Sequence, residues 1–149
     1  MSTLRTFVEH TGPARLGKRT KNLARRLSAD DIAIIDHADL DRVSAEELVE
    51  SGVRVVVNVA PSQTGRFPNP GPLLLVRGGV RLIDAPGAEL FDEVHDGELL
   101  TVRGGGLFRN GTCIASGRAL EADELATVLA EQQTRVTEAL EAFADNTMR

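Results

Sequence analysis

The sequence predicts a layered α/β fold: a β/β/α sandwich with a partly parallel sheet, a small antiparallel meander and a long C-terminal helix. Three observations carry this. Compact apolar runs, Ile32-Ala33-Ile34-Ile35 and Val55-Val56-Val57, alternate with helical segments as βα units do. Two turn signals, Gly104-Gly105 and Asn110-Gly111, join three β segments between residues 99 and 119. From Ala122 onward the apolar residues recur at three- and four-residue steps.

The elements follow in chain order. Residues 18–27 read as a short basic helix with Leu23 and Leu27 one turn apart. The run 32–35 is a buried strand. Ser44 and Glu47 have the spacing of a capping box for a helix that ends at Gly52, and Asp39 or Asp41 is a further capping candidate. Residues 53–59 form the strongest strand, apolar on both faces as a covered central strand is. A polar loop, 61–72, leads to a helix starting at Pro72 and stopping at Gly78-Gly79. A strand at 80–83 and a short helix at 88–94 come next, then β segments at 99–103, 106–109 and 112–119. The final helix carries Leu125, Leu129, Val136, Leu140 and Phe143 on one stripe, a predicted interface. Near 37 Å at roughly 1.5 Å per residue, it outruns what a domain of this size covers. With no stop signal at its end, it reads as a connecting helix. The domain organisation is thus 1–120 for the β/β/α domain and 121–149 for a helix leading into a further domain.

Composition bounds the function. The chain of 149 residues, 42% hydrophobic and 26% charged, is suited to one folded core and is too apolar for disorder. With five Phe and no Trp or Tyr, the core must be aliphatic, and a stacking platform for single-stranded nucleic acid is not expected. Residues 5–26 hold seven bases against Glu9 alone, a net of +6, whereas residues 89–149 hold twelve acids and five bases, a net of −7. Such asymmetry suits steering an anionic ligand or pairing two surfaces of an assembly. The overall pI near 5.2 argues against specific duplex binding. The single Cys113 excludes an internal disulfide and a multi-cysteine zinc site, and between β formers it predicts a buried, inert thiol. No apolar run approaches the roughly 20 residues of a membrane span, and no signal peptide opens the chain, so a cytoplasmic location is expected.

The loop 61–72 is the richest in chemistry. It leaves the C-terminal end of a central strand and enters a helix N-terminus, where open α/β sheets collect ligands and free amides meet anions. Ser62, Thr64, Gly65, Arg66 and Asn69 offer hydroxyls, close backbone approach, a guanidinium fork and an amide, a set that suits phosphate or carboxylate. A Pro/Gly-stiffened surface loop explains the same residues. It is not a P-loop, since the Gly-Lys-Ser/Thr ending is missing. Asp36 and His37 end the preceding strand and would face the same cleft, and Lys21 would add a cation. The acids at 36–41 fail the calcium-loop pattern because Arg42 stands where glycine is required. No nucleophile has a convincing partner. Neither metal ion nor cofactor is expected.

Two resemblances emerge. The runs Lys18-Arg19-Thr20-Lys21-Asn22-Leu23, Asp31-Ile32-Ala33-Ile34-Ile35-Asp36-His37-Ala38-Asp39-Leu40-Asp41-Arg42 and Asn58-Val59-Ala60-Pro61-Ser62-Gln63-Thr64-Gly65-Arg66-Phe67-Pro68-Asn69-Pro70-Gly71-Pro72 resemble the N-terminal region of the SteA family. These are actinobacterial and related cytokinetic-ring proteins in which a thiamin pyrophosphokinase-like domain follows this region. The resemblance implies a non-catalytic scaffolding or regulatory role in cell division. It implies as partners other division proteins, a second copy of the chain, or a kinase-like domain beyond Arg149. The Gly-Asp-rich nucleotide and metal motifs of a pyrophosphokinase do not occur here. The order of elements is also similar to the swivelling β/β/α domain that carries phosphohistidine in phosphoenolpyruvate-utilising enzymes. There Pro70 or Asn69 falls at the histidine's place, and proline cannot accept a phosphoryl group, so only the fold is implied. The alternative function is a sensing module that holds a phosphorylated small molecule or nucleotide on Arg66, Asn69, Ser62 and Asp36.

Overall fold

The computed structural model describes residues 9–147. Eight strands form one mixed sheet: β1 (His10–Leu16), β2 (Ile32–Ile35), β3 (Val55–Asn58), β4 (Arg81–Asp84), β5 (Leu99–Arg103), β6 (Gly106–Arg109), β7 (Thr112–Ser116) and β8 (Arg118–Ala119). The helices are α1 (Thr20–Ala24), α2 (Arg42–Ser51), α3 (Gly71–Arg77), α4 (Leu90–Glu93) and α5 (Ala122–Thr147). In space the strands run β7-β6-β5-β1-β2-β3-β4-β8. The centre, β1 to β4, is parallel and in chain order, while β5, β6, β7 and β8 add antiparallel pairs.

Period-two alternation in the central strands builds two cores from one sheet. Ala33, Ile35, Val56 and Leu82 face one side, where Leu23 of α1, Leu48 of α2 and Leu75 of α3 cover them. Same-handed crossovers stepping in one direction put all three helices there. Ile32, Ile34, Val55, Val57 and Ile83 face the other side, packed with Leu90, Leu100, Val102, Leu107 and Ala115 of α4 and the meander. The result is the layered order expected: helices, parallel strands, antiparallel strands.

The sheet also rolls up. β7 and β8 lie at opposite ends of the strand order, yet only Gly117 separates them in the chain. The Gly117 amide donates to the Gly105 carbonyl at 2.8 Å, and the carbonyl of Asp84 occupies the space that a Cβ on Gly117 would need. At Gly117 the chain passes from one end of the strand order to the other, packed between the backbone of Gly105 and that of Asp84.

The predicted elements sit within a few residues of those observed, with four differences. β1 was not predicted, because Gly12-Pro13 interrupts its apolar pattern; it pairs with β5 through residues 10–13 and with β2 through residues 14–16. Asp41 caps α2 by accepting from the Ser44 amide at 3.4 Å, so the capping box predicted at Ser44 is not the helix start. The segment 112–119 is two strands broken at Gly117. Cys113 is exposed rather than buried: β7 is an edge strand with a register shift opposite it, and its thiol points outward, donating to the Ala115 carbonyl at 3.3 Å.

The hairpin at Asn110-Gly111 has φ of 49° and 80°, the doubly left-handed turn that its sequence demands. α5 spans 26 residues, and Leu125 and Gln132 are its only buried residues. No described helix is long and apolar enough to cross a membrane. Replacing Gly117 by Ala is expected to cost about 1–3 kcal/mol in denaturant unfolding, since the new methyl meets the Asp84 carbonyl; unchanged stability would show that the backbone there is not closely packed.

Candidate functional site

The C-terminal ends of β2, β3 and β4 are tied by one buried polar side chain. Asn58, the last residue of β3, is fully buried. Its Oδ1 accepts from the amides of His37 and Ala60, each at 3.0 Å, and its Nδ2 donates to the His37 carbonyl and to Ser62 Oγ, each at 2.9 Å. Two amide donors face the oxygen, so the orientation of the carboxamide follows from the backbone alone. Ser62, also fully buried, passes the linkage on: its hydroxyl donates to Asp84 Oδ1 at 2.5 Å and its amide to Asp84 Oδ2 at 3.0 Å. Sequence reasoning missed Asn58 and Asp84. The available signal was a lone polar residue closing an otherwise apolar buried strand.

A second layer of bonds closes the loop 61–72 onto the loop after β2. The Asp39 amide donates to the Pro61 carbonyl at 2.9 Å and the Leu40 amide to the Ser62 carbonyl at 3.0 Å. Asp39 adopts a left-handed φ of 51°, and its carboxylate accepts from the Thr64 amide at 2.8 Å and from Thr64 Oγ1 at 2.9 and 2.8 Å. Gly65 (φ 87°) then turns the chain beside Gln132 of α5. Gln63 Nε2 donates both to the Asn69 carbonyl and to Gln132 Oε1, each at 3.3 Å. Asn69 is buried and uses Oδ1 to accept the Gly71 amide at 3.1 Å; its Nδ2 has no partner among the described residues.

The predicted site residues therefore divide. Ser62, Thr64, Gly65 and Asn69 hold the loop to the sheet and to α5. Arg66, Asp36 and Lys21 are exposed, and the Arg66 guanidinium has no partner among the described residues. Arg66 is exposed, while Asn69 is buried with its Oδ1 on the Gly71 amide. His37 is half-buried; its Nδ1 lies 3.1 Å from Thr20 Oγ1, and its Nε2 lies 3.6 Å from Asp41 Oδ1. Among the described residues no three His, Cys, Asp or Glu side chains are grouped to hold a metal ion.

Electrostatics reinforce this division. Burial lifts the Asp84 carboxyl above its ordinary value, and the two Ser62 hydrogen bonds and the Arg118 charge only partly offset it. Two bases of the predicted cationic segment are engaged elsewhere. Arg26 pairs with Asp96 at 2.9 Å, and Arg15 reaches Asp31 and Asp96, each at 3.4 Å. Burial would raise the Asp96 carboxyl, but the Leu16 amide and these guanidiniums hold it below the ordinary carboxylate value. Lys18 lies over the Phe91 ring, 5.5 Å from its centroid.

An apolar groove of about 580 Å³ opens on the helical face, lined by Val49 of α2, by Pro70, Leu73, Leu74, Arg77 and Gly78 of α3 and its flanks, and by Leu129 of α5. None of the residues predicted to bind a ligand lines it. The chain matches no protein-family model and no curated protein.

Two outcomes are expected of this network. Asn58→Ala should lose about 3 kcal/mol of stability, because several buried groups lose their only partner at once; a loss below about 0.5 kcal/mol would show that the linkage carries little. Asp84 binds its proton more tightly when folded than unfolded, so its contribution to stability is greatest below the ordinary value of 3.8 and falls as pH rises through the raised value. The stability of the wild type minus that of Asp84→Asn should therefore decline as pH rises from 3.8 into the mildly acidic range. A difference that rises with pH over that window would contradict a raised Asp84.

Proposed function

We propose that this domain is a non-catalytic scaffolding and regulatory module of a SteA-like cell-division protein, acting in the cytoplasm. One observation carries the reading: most of the polar chemistry of loop 61–72 is directed inward and engaged, while α5 extends an apolar stripe into solvent. A catalytic or sensing site needs convergent polar groups aimed at a shared space. Here Ser62, Thr64 and Asn69 are aimed at Asp84, Asp39 and Gly71 instead. What is left outward is a docking element. The long runs resembling the SteA N-terminal region supply the biological context, with division proteins and a kinase-like domain as the partners such a module would organise.

A second reading has its own observation. The guanidinium of Arg66 is exposed with no partner among the described residues, and Asn69 Nδ2 is buried without a described partner. A loop rearrangement that freed Asn69 would turn these two into an anion clamp for a phosphorylated metabolite.

Titration calorimetry separates the readings. Nucleotides and thiamin phosphates are expected to give no heat with wild type or with Arg66→Ala, whereas saturable heat lost in Arg66→Ala would establish the sensing module. In cells, a fluorescent fusion of the chain should collect at the division plane, and uniform fluorescence would overturn the scaffold.

A further inference from the structure

The helices form one layer with two unlike flanks. α1 packs on α2, α2 on α3 and α3 on α5, so α1 and α5 stand at opposite ends of the layer. Leu23 is buried beneath α1, and Lys21 and Arg25, two positions to either side of it, project from the opposite face. With Arg19 they make a flank of exposed cations, and none of these side chains has a partner among the described residues. On α5 the stripe through Leu125, Leu129, Gln132 and Val136 begins against the domain, with Leu125 and Gln132 buried. At about 3.6 residues per turn, Glu131, Glu138 and Glu141 fall on the face opposite that stripe, the outer flank of the layer. These carboxylates are exposed and likewise have no partner among the described residues. Arg135 is the only base of α5. Elsewhere surface arginines meet the chain's own acids: Arg42 pairs with Glu46, Arg103 with Glu9 and Arg118 with Glu124. On the two flanks like charges are gathered instead and left unmatched.

We infer that the cationic flank of α1 receives the acidic outer face of α5 from a second copy, so that copies join head to tail and the helical layer of one continues into the next. The charges have matching spacing. Arg25 keeps helical φ and ψ of −66° and −21°, which sets it one turn from Lys21, about 6 Å away. Glu138 and Glu141 are neighbours on α5 at a similar spacing. Because the flanks lie at opposite ends of the layer, one pair of copies cannot satisfy both contacts at once. The contact is therefore heterologous and propagates, leaving a free flank of each sign at the two ends. An extended polyanion fits the same cations less well. The chain as a whole carries a net charge of −5, and segment 18–27 has no aromatic residue on which bases could stack. Exposed ion pairs contribute little singly, so the contact depends on several together and weakens with salt. The inference rests on the scaffold reading and deepens it by naming the module's first partner.

The test uses the full 149-residue chain. Sedimentation velocity in about 0.05 M salt should show species that grow with concentration beyond a dimer, and about 0.5 M salt should return the monomer. The pair Lys21→Glu, Arg25→Glu makes both flanks acidic, and the pair Glu138→Lys, Glu141→Lys makes both basic. Each double variant alone should associate at least about tenfold more weakly than wild type, with an unchanged circular dichroism spectrum. Their equimolar mixture should assemble to within about threefold of wild type, because every flank then meets the opposite sign. Phe143→Ser, on the other face of α5, should leave assembly unchanged. A wild type that stays monomeric at every concentration would overturn the inference, as would assembly that survives high salt or a mixture no stronger than its components. So would a monomer that binds a DNA duplex or anionic phosphatidylserine vesicles through Lys21 and Arg25, which would give the flank to a polyanion. None of these results decides the scaffold reading, which the titration and localisation tests above judge separately.

Discussion

The buried carboxamide of Asn58 is the constraint on which the C-terminal end of the sheet depends. Three parallel strands end side by side there, and each must release its chain into a loop whose amides and carbonyls need partners. One side chain with two donors and two acceptor lone pairs meets that need for β2 and β3, and Ser62 extends it to β4 through Asp84. The linkage explains why the loop after β3 runs where it does. With Ser62 fixed beneath the sheet edge, the chain passes over Asp39, turns at Gly65 and reaches Gln132. The position of α5 is thus tied to the sheet through the Asn58–Ser62 hydrogen bond, the chain step to Gln63 and the Gln63–Gln132 hydrogen bond.

Much of the architecture was legible because periodicity reports burial. The unbroken apolar runs at 32–35 and 55–57 placed both central strands as covered on both faces, and Gly104-Gly105 and Asn110-Gly111 placed the meander. β1 was hidden because its pairing partners, at residues 99–102 and 32–34, lie far along the chain, while Gly12 and Pro13 read locally as a loop. Cys113 was misjudged because β propensity reports a strand and not which of its faces is covered. The role of Asn58 was hidden for a similar reason: nothing local in Val-Val-Val-Asn says that His37 and Ser62 will converge on it.

The loop 61–72 shows how the same residues serve two chemistries. Hydroxyls, an amide and left-handed glycine that would cradle an anion are the groups that also close a loop on itself. Which use prevails depends on partners distant in sequence. Asp39 takes Thr64, Asp84 takes Ser62 and Gly71 takes Asn69. Arg66 is left facing outward, with no partner among the described residues. The charge asymmetry has a similar resolution: Arg15 and Arg26 meet Asp31 and Asp96 within the fold, so the cationic segment is partly neutralised by acids that the chain supplies later.

Native-state hydrogen exchange at the amides of Leu40, Ser62 and Thr64 tests this picture most directly. If the loop is held closed by its internal bonds, these three exchange only as slowly as the buried strands open, near the rate set by global unfolding. Exchange as fast as in an open surface loop would mean that Ser62 and Thr64 are free to meet a ligand, and that the inward engagement of the loop is not what holds it.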